Sequence, residues 1–290
     1  MTKKNKKLMN KTISAVMCTY GRFSCVERAI NCFLAQTYTD KELIIFNTDT
    51  NSPYKSTIVK EVLNKHFGIG HFDKLSNHNI IVINCDTDSE TEEPYTNVGA
   101  IRRDALMFAS GAYTVTWDDD DIFLPHFMQQ AVDRMEQTGL PFFKPEKSFF
   151  YSGNHLRLVM NTLEASVVGR TEYVRKYGYL LETGKEGLGW YTKARDRKEL
   201  DEHDTHYIPS YCFNWNDGQE MNAPHKQSGD IDNPNNFNNH KEQSKDFVNG
   251  RDLILWDSEK LNEMYKPYRD FMNINKDQFN PELFEKYMTW

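Results

Sequence analysis

Short apolar runs alternate with amphipathic stretches along the first half of the chain, and each run ends in polar residues. Residues 12–18 (TISAVMC) predict a first strand, broken by Thr19-Tyr20-Gly21-Arg22. Over residues 25–36 the apolar positions Val26, Ala29, Ile30, Phe33 and Leu34 recur with the helical period. Leu43-Ile44-Ile45-Phe46 predicts a second buried strand that runs into Asn47-Thr48-Asp49-Thr50. Residues 57–67 predict a helix and residues 80–83 a third strand. Asn97-Val98-Gly99 opens another helix, which runs through Arg102 and Leu106 to Ala109. The apolar run from Gly111 to Trp117 follows and ends in four consecutive aspartates, Asp118 to Asp121. Strands alternating with helices in this way predict an open, mainly parallel α/β sheet. Its strand tips bring Thr19, Asp49 and the aspartates to one edge, where ligands bind in such sheets.

The second half is less regular. Phe142-Phe143, residues 149–151 and residues 163–170 read as strands of a mixed sheet. Residues 184–190 (GKEGLGW) form a Gly-rich stretch leading into a helix through about Leu200. Residues 207–215 predict a strand. Residues 216–246, dense in Asn, Asp, Gly and Gln, predict a long polar loop, and residues 251–290 a helical C-terminal extension. These boundaries divide the chain into a basic tail (1–11), a main α/β domain (12–250) and the extension (251–290).

Composition narrows the class. A chain of 290 residues with 39% hydrophobic and 27% charged content buries a full core and is globular. Aromatics at 13% supply rings for pockets as well as for the core. The net charge of −7 argues against a broadly basic nucleic-acid surface and leaves room only for a local basic groove. No apolar run approaches the ~20 residues of a membrane-spanning helix. The basic start MTKKNKKLMN lacks the apolar stretch of a signal peptide and reads as a tail with weak attraction for anionic lipid or nucleic acid. Cys18, Cys25, Cys32, Cys85 and Cys212 form no CxxC and fit no common zinc spacing, so they read as reduced thiols of a cytoplasmic protein.

Four adjacent carboxylates repel one another unless a cation or solvent screens them. In isolation the run reads equally well as a solvated acidic turn or as the seat of a divalent ion holding a phosphorylated ligand. Its neighbours shift the balance. The pieces SAVMCTYGR, AINCFLAQTYTDKELIIFN, NVGAIRRDALMFASG and AYTVTWDDDDIFLP stand in order between Ile13 and Pro125. Asn97, Gly99, Arg102, Ala109, Gly111, Tyr113, Asp118, Asp120, Asp121 and Pro125 fall at matching spacings, and in these pieces the chain resembles the family 2 glycosyltransferases. The resemblance implies a GT-A-type fold, a Rossmann-like mixed and mainly parallel sheet flanked by helices, with residues 12–135 as the nucleotide-sugar half and 136–250 as the acceptor half. It implies transfer of a sugar from a nucleoside diphosphate donor, UDP by expectation, to a hydroxyl of a glycan or lipid-linked glycan. A Mn²⁺ or Mg²⁺ ion would bridge the diphosphate, and hard carboxylate and phosphate oxygens suit these ions.

The resemblance also distributes roles. Aligned on Pro125, Asp120 falls on the family's direct metal ligand and Asp118 on the first Asp of its DxD pattern, near the ribose or a metal-bound water. Asp119 stands at the variable position as a solvated neighbour; Asp121 fixes the loop or touches the acceptor and counts among the catalytic candidates. Thr19, Tyr20 and Arg22 match the loop that cradles the nucleoside, although Tyr20 also reads as a packing aromatic. Where the family has an Asp pair that reads uracil, this chain has Asn47-Thr48-Asp49. Asn47 offers both a donor and an acceptor, and Asp49 is the other candidate. Arg102 would lie over the donor phosphates, its plain alternative being a surface ion pair; Arg103 stands where the family often has Asn.

An inverting transfer needs a carboxylate to deprotonate the acceptor hydroxyl. The family carries it on a helix-leading "ED" motif, matched here by Gly184-Lys185-Glu186-Gly187 before Trp190. Glu186 is the candidate base, the second acid of the pair is missing, and Asp201 and Asp204 are rivals. His225, in HKQSG, resembles the family's late H-x-S segment and is the candidate third metal ligand, while His203 and His206 read as surface residues.

Three other functions compete. The same chemistry on hydroxymethylated bases of phage DNA would draw on the tail, on Trp117, and on a basic groove from Arg157, Arg170, Arg175, Lys176, Lys193, Arg195, Arg197 and Lys198. An inactive nucleotide-sugar-binding module would keep the fold without the chemistry. A nucleotidyltransferase shares the metal–diphosphate logic but usually has a Gly-rich loop after the first strand, and TYGR is not one.

Overall fold

The structure, a computed structural model, describes residues 11–20, 23–48, 79–152, 155–161, 164–183, 185–202, 208–214 and 256–290. At its centre lies a seven-stranded sheet of β1 (Ile13–Thr19), β2 (Lys41–Asn47), β3 (Ile80–Asn84), β4 (Tyr113–Thr116), β6 (Phe142–Phe143), β9 (Val168–Arg170) and β10 (Leu200–Asp201), in the order β10-β6-β9-β4-β1-β2-β3. β4, β1, β2 and β3 run parallel, and β9 enters antiparallel between β4 and β6. Helices cover both faces, so the parallel strands are buried throughout and read in sequence as nearly continuous apolar runs. Thr19 pairs with Asn47 and Asn47 with Asn84, so three strands end flush at one edge.

A second sheet holds β5 (Ile122–Phe123), β11 (Tyr211–Asn214), β7 (Lys147–Ser152) and β8 (His155–Met160). It begins directly after the aspartate run.

One face of the central sheet packs with α1 (Phe23–Leu34), α3 (Phe127–Thr138), α6 (Ser258–Ile274) and α7 (Pro281–Tyr287) around Phe33, Trp117, Phe123 and Tyr265. The other packs with α2 (Val98–Leu106), α4 (Thr171–Tyr177) and α5 (Leu188–Asp196) around Phe46, Phe142 and Trp190. α2 starts where its sequence signals: Asn97 accepts the Ala100 N–H at 2.8 Å as N-cap.

Some expected elements change. The predicted strand over 163–170 is instead a 3₁₀ turn, Glu164–Ser166, followed by the shorter β9. α5 stops at Asp196, because Lys198 takes a left-handed φ of 57° and Leu200 joins β10. α3, α4 and β8 form where no element was singled out in sequence. The predicted helix over 57–67 and the polar loop over 216–246 lie outside the described residues. Among the described residues, no helix is long and apolar enough to cross a membrane.

Candidate active site

The aspartates follow β4 at the edge where β1, β2 and β3 also end, and each points to a different partner. Asp119 is fully buried and accepts the Thr19 hydroxyl at 2.7 Å, which ties the tip of β1 to the run. It is therefore not the solvated neighbour expected of a variable position. Asp121 is also buried, accepting the Tyr211 hydroxyl and, at 3.1 Å, the Asn214 N–H, both from β11. Burial first, then repulsion from Asp120 and Asp118, pushes its carboxyl well above the usual carboxylate range. The Asp120 carbonyl accepts Arg28 Nη2 at 2.6 Å and Asn214 Nδ2 at 3.0 Å, so the turn is held from α1 and β11 together. Asp118 is the most open of the four, with its side chain 20% exposed, and it accepts Arg102 Nη2 at 2.8 Å.

Arg102 is not a surface residue. It is buried on α2 and joins Asp118 to Glu186, whose Oε1 lies 3.1 Å away. Burial works against its charge, but Asp118 and Glu186 outweigh it and the guanidinium is held protonated. Glu186 is buried beside it with Oε2 lacking a hydrogen-bond partner. Gly99 makes this approach possible, since a Cβ there would stand 1.8 Å from the Leu180 carbonyl oxygen. α2 thus lies directly on the segment that leads to Glu186, with the Gly99 N–H donating to the Glu182 carbonyl at 3.1 Å.

Other expectations resolve individually. Tyr20 is half-buried just past β1. Asn47 reaches the edge but is buried, its amide donating to Asn84 Oδ1 at 2.9 Å. Arg103 is bound to Asp88, Glu90 and Asp104, away from Asp118. Asp201, a rival base, accepts Arg134 Nε at 2.7 Å on β10. Arg22, Asp49, His203, Asp204, His206 and His225 lie outside the described residues. Trp117 is fully buried, stacked on Phe123 at 3.8 Å and donating to the Ala29 carbonyl, so it cannot meet a DNA base. Part of the basic cluster is committed internally: Arg175 holds the Leu106 and Ala109 carbonyls, Lys193 the Tyr177 carbonyl, and Arg197 the Tyr177 hydroxyl.

Sequence reasoning missed Glu164, Cys18 and Tyr179, which all feel the charge of Arg102. Burial pushes the Cys18 thiol up to about 12, with Arg102 opposing it. Burial likewise raises Glu164, with Arg102 lowering it and Glu186 and Asp118 raising it. The signal that could have found Glu164 is the glycine after Glu186, which leaves space for a side chain from elsewhere.

Asp118 and Asp120 suit a divalent cation. Among the described residues no third His, Cys, Asp or Glu completes a metal cluster with them. Mg²⁺-type sites commonly use one or two carboxylates and take their remaining ligands from phosphate and water. The mutual repulsion felt at Asp121 is the crowding that a cation offsets.

A mainly parallel sheet with helices on both faces and an acidic turn at a strand end is the plan of the GT-A glycosyltransferases. Residues 14–149 match the profile of Glycosyl transferase family 2. It is 24% identical over 188 residues to the Escherichia coli UDP-Glc:alpha-D-GlcNAc-diphosphoundecaprenol beta-1,3-glucosyltransferase WfgD, the match covering 65% of this chain and 61% of that protein. The chain therefore spans less than two thirds of that relative's length. Its fold is similar to the crystal structure of S. aureus TarS 1-349 in complex with UDP-GlcNAc, at a TM-score of 0.51 and 14% identity over 85% of this chain and 68% of the other.

Proposed function

We propose that this chain is a metal-dependent, inverting glycosyltransferase that moves a sugar from a UDP-linked donor to a hydroxyl of a glycan or lipid-linked glycan. The observation that carries the reading is the convergence of Thr19, Arg102 and the aspartate run at the C-terminal edge of β1 and β4. The match of residues 14–149 to Glycosyl transferase family 2 supports it, as does the printed activity of the E. coli relative, a UDP-glucose-dependent enzyme acting on a lipid diphosphate glycan.

In this reading Asp120 and Asp118 hold Mn²⁺ or Mg²⁺ together with the donor diphosphate. Such an ion neutralises charge that grows on the leaving diphosphate. Arg102, kept charged by its two carboxylates in a buried setting, presents a fixed cation to the same phosphates. Thr19, Tyr20 and Asn47 line the nucleoside end, and Asp121 keeps the turn in place through Tyr211 and Asn214. With Asp118 assigned to the ion, Glu186 and Glu164 are the remaining described acids near Arg102 that offer a carboxylate for the acceptor proton.

The test is a donor screen. UDP-glucose or UDP-GlcNAc with Mn²⁺ is expected to raise the unfolding temperature, with stabilisation of about 2.7 kcal/mol at a hundredfold excess over Kd, and EDTA is expected to abolish it. Asp120→Asn should lower donor turnover by roughly 10²-fold or more. A chain that no UDP-sugar stabilises, or an Asp120→Asn variant that turns over donor like wild type, would overturn the reading. Stabilisation without any turnover in the wild type would instead mark an inactive binding module.

A further inference from the structure

We infer that the carboxylate of Glu164 is the general base that takes the acceptor's proton, an assignment that rests on the inverting transfer proposed above. Besides Asp118, two acids act on Arg102, and they differ in their partners. Glu186 is buried with its Oε1 3.1 Å from the guanidinium that also neutralises Asp118. Its Oε2 has no hydrogen-bond partner but is buried, so neither oxygen of Glu186 is open to an incoming acceptor. Among the described residues no ion pair holds Glu164, whose carboxylate is bonded to its own backbone N–H. As a residue it is half-buried rather than sealed. Its partial burial favours proton uptake, which is the environment that suits a general base.

The backbone is shaped around this side chain. A Cβ on Gly187 would stand 2.3 Å from Glu164 Cγ and 3.3 Å from its Cδ. Gly187 has an ordinary helical φ of −71°, so its conformation does not call for glycine. What calls for it is the Glu164 side chain, which fills the space a residue at 187 would otherwise occupy, directly beside Glu186. The carboxylate therefore enters from the 3₁₀ turn Glu164–Ser166, which packs against β4, the strand that leads to the aspartates. Glu186 becomes a positioning residue that holds Arg102.

The step balances. As the acceptor oxygen bonds to the anomeric carbon, the bond from that carbon to the diphosphate oxygen breaks and its electron pair leaves with the diphosphate. The hydroxyl proton passes to Glu164, which becomes the neutral acid and later loses the proton to solvent.

The experiment measures UDP-glucose hydrolysis with Mn²⁺, water serving as the acceptor, alongside UDP-glucose affinity by calorimetry. Glu164→Gln should lose about 10²–10³-fold in turnover while binding donor within about threefold of wild type. Glu164→Ala should be equally impaired, and Glu164→Ala combined with Gly187→Asp should recover about tenfold or more, because the new carboxylate projects into the vacated space. Glu186→Gln should weaken donor affinity through Arg102. Turnover in Glu164→Gln within about threefold of wild type would overturn the assignment, as would a double variant no better than Glu164→Ala. Should Glu164→Gln fail to fold, as judged by circular dichroism, comparison of Glu164→Ala with the double variant decides the matter. A wild-type protein that binds no UDP-sugar defeats the donor reading and this assignment with it, whereas wild-type turnover that survives in Glu164→Gln defeats the assignment alone.

Discussion

Asp119 shows how one residue's role depends on direction. In a run of four carboxylates it occupies the position that the family leaves free, yet its side chain turns inward and closes the end of β1 through Thr19. Removing a buried acceptor leaves the Thr19 hydroxyl without its partner, at a cost of about 1–3 kcal/mol. Asp119→Ala is therefore expected to lower stability by that amount in urea unfolding. Because the clamp also fixes the loop beside the donor, weaker UDP affinity should accompany the loss. A variant as stable as wild type would show that the clamp carries no weight. Asp118, by contrast, keeps a fifth of its side chain exposed, and its electrostatics are set by Arg102 across the site. The four residue types alone could not sort these roles, since all four are aspartate; partners at 100, 16 and 90 residues' separation did.

At the scale of elements, the C-terminal helices are fastened by an acid-sensitive contact. Trp290 Nε1 donates to His126 Nδ1 at 3.0 Å, so Nδ1 carries no proton, and the His126 ring lies nearly parallel to the rings of Tyr287 and Trp290. His126 Nε2 faces the Ile208 and Pro209 carbonyls without reaching hydrogen-bond geometry. Burial pushes this imidazole down to about 3 against those carbonyls, and protonating Nδ1 would also break the Trp290 bond. The unfolded chain binds the proton near pH 6.5, so the contribution is complete above that pH and is lost as pH falls toward 3. Between pH 7 and 5 the wild type should lose about 2 kcal/mol more than His126→Gln, whose amide oxygen still accepts from Trp290. Parallel stability curves for the two proteins would refute this. The strand–helix alternation over the described residues between 12 and 121 was legible because burial on both faces leaves a local, continuous apolar signature. The 3₁₀ turn at Glu164–Ser166 was not, because Ala165, Val167 and Val168 are buried apolar residues that read like a strand.

Across the whole molecule, the helices past residue 255 are part of the core rather than an appendage. Tyr265, Tyr268, Met272, Phe284 and Tyr287 belong to the cluster that contains Trp117 and Phe123, and the Tyr265 hydroxyl donates to the Phe123 carbonyl at 3.2 Å. Each large buried side chain is worth about 3–5 kcal/mol, so losing five exceeds the roughly 5–15 kcal/mol by which a domain is stable. A chain ending at residue 255 should fail to give a cooperative unfolding transition and should elute as aggregate in size exclusion; a well-folded monomer would contradict the prediction. By itself the sequence determined the strands β1 to β4 and the helices α1 and α2, the acidic turn after β4 and the resemblance to the family 2 glycosyltransferases, because periodicity, turn chemistry and motif spacing are local and survive without the fold. Only the tertiary structure decided which aspartate faces inward, how Arg102 is divided between Asp118 and Glu186, and that Glu164 fills the space beside Gly187. Those facts depend on side chains far apart along the chain, and they meet only when β9 and β11 close against the edge that β1 and β4 form.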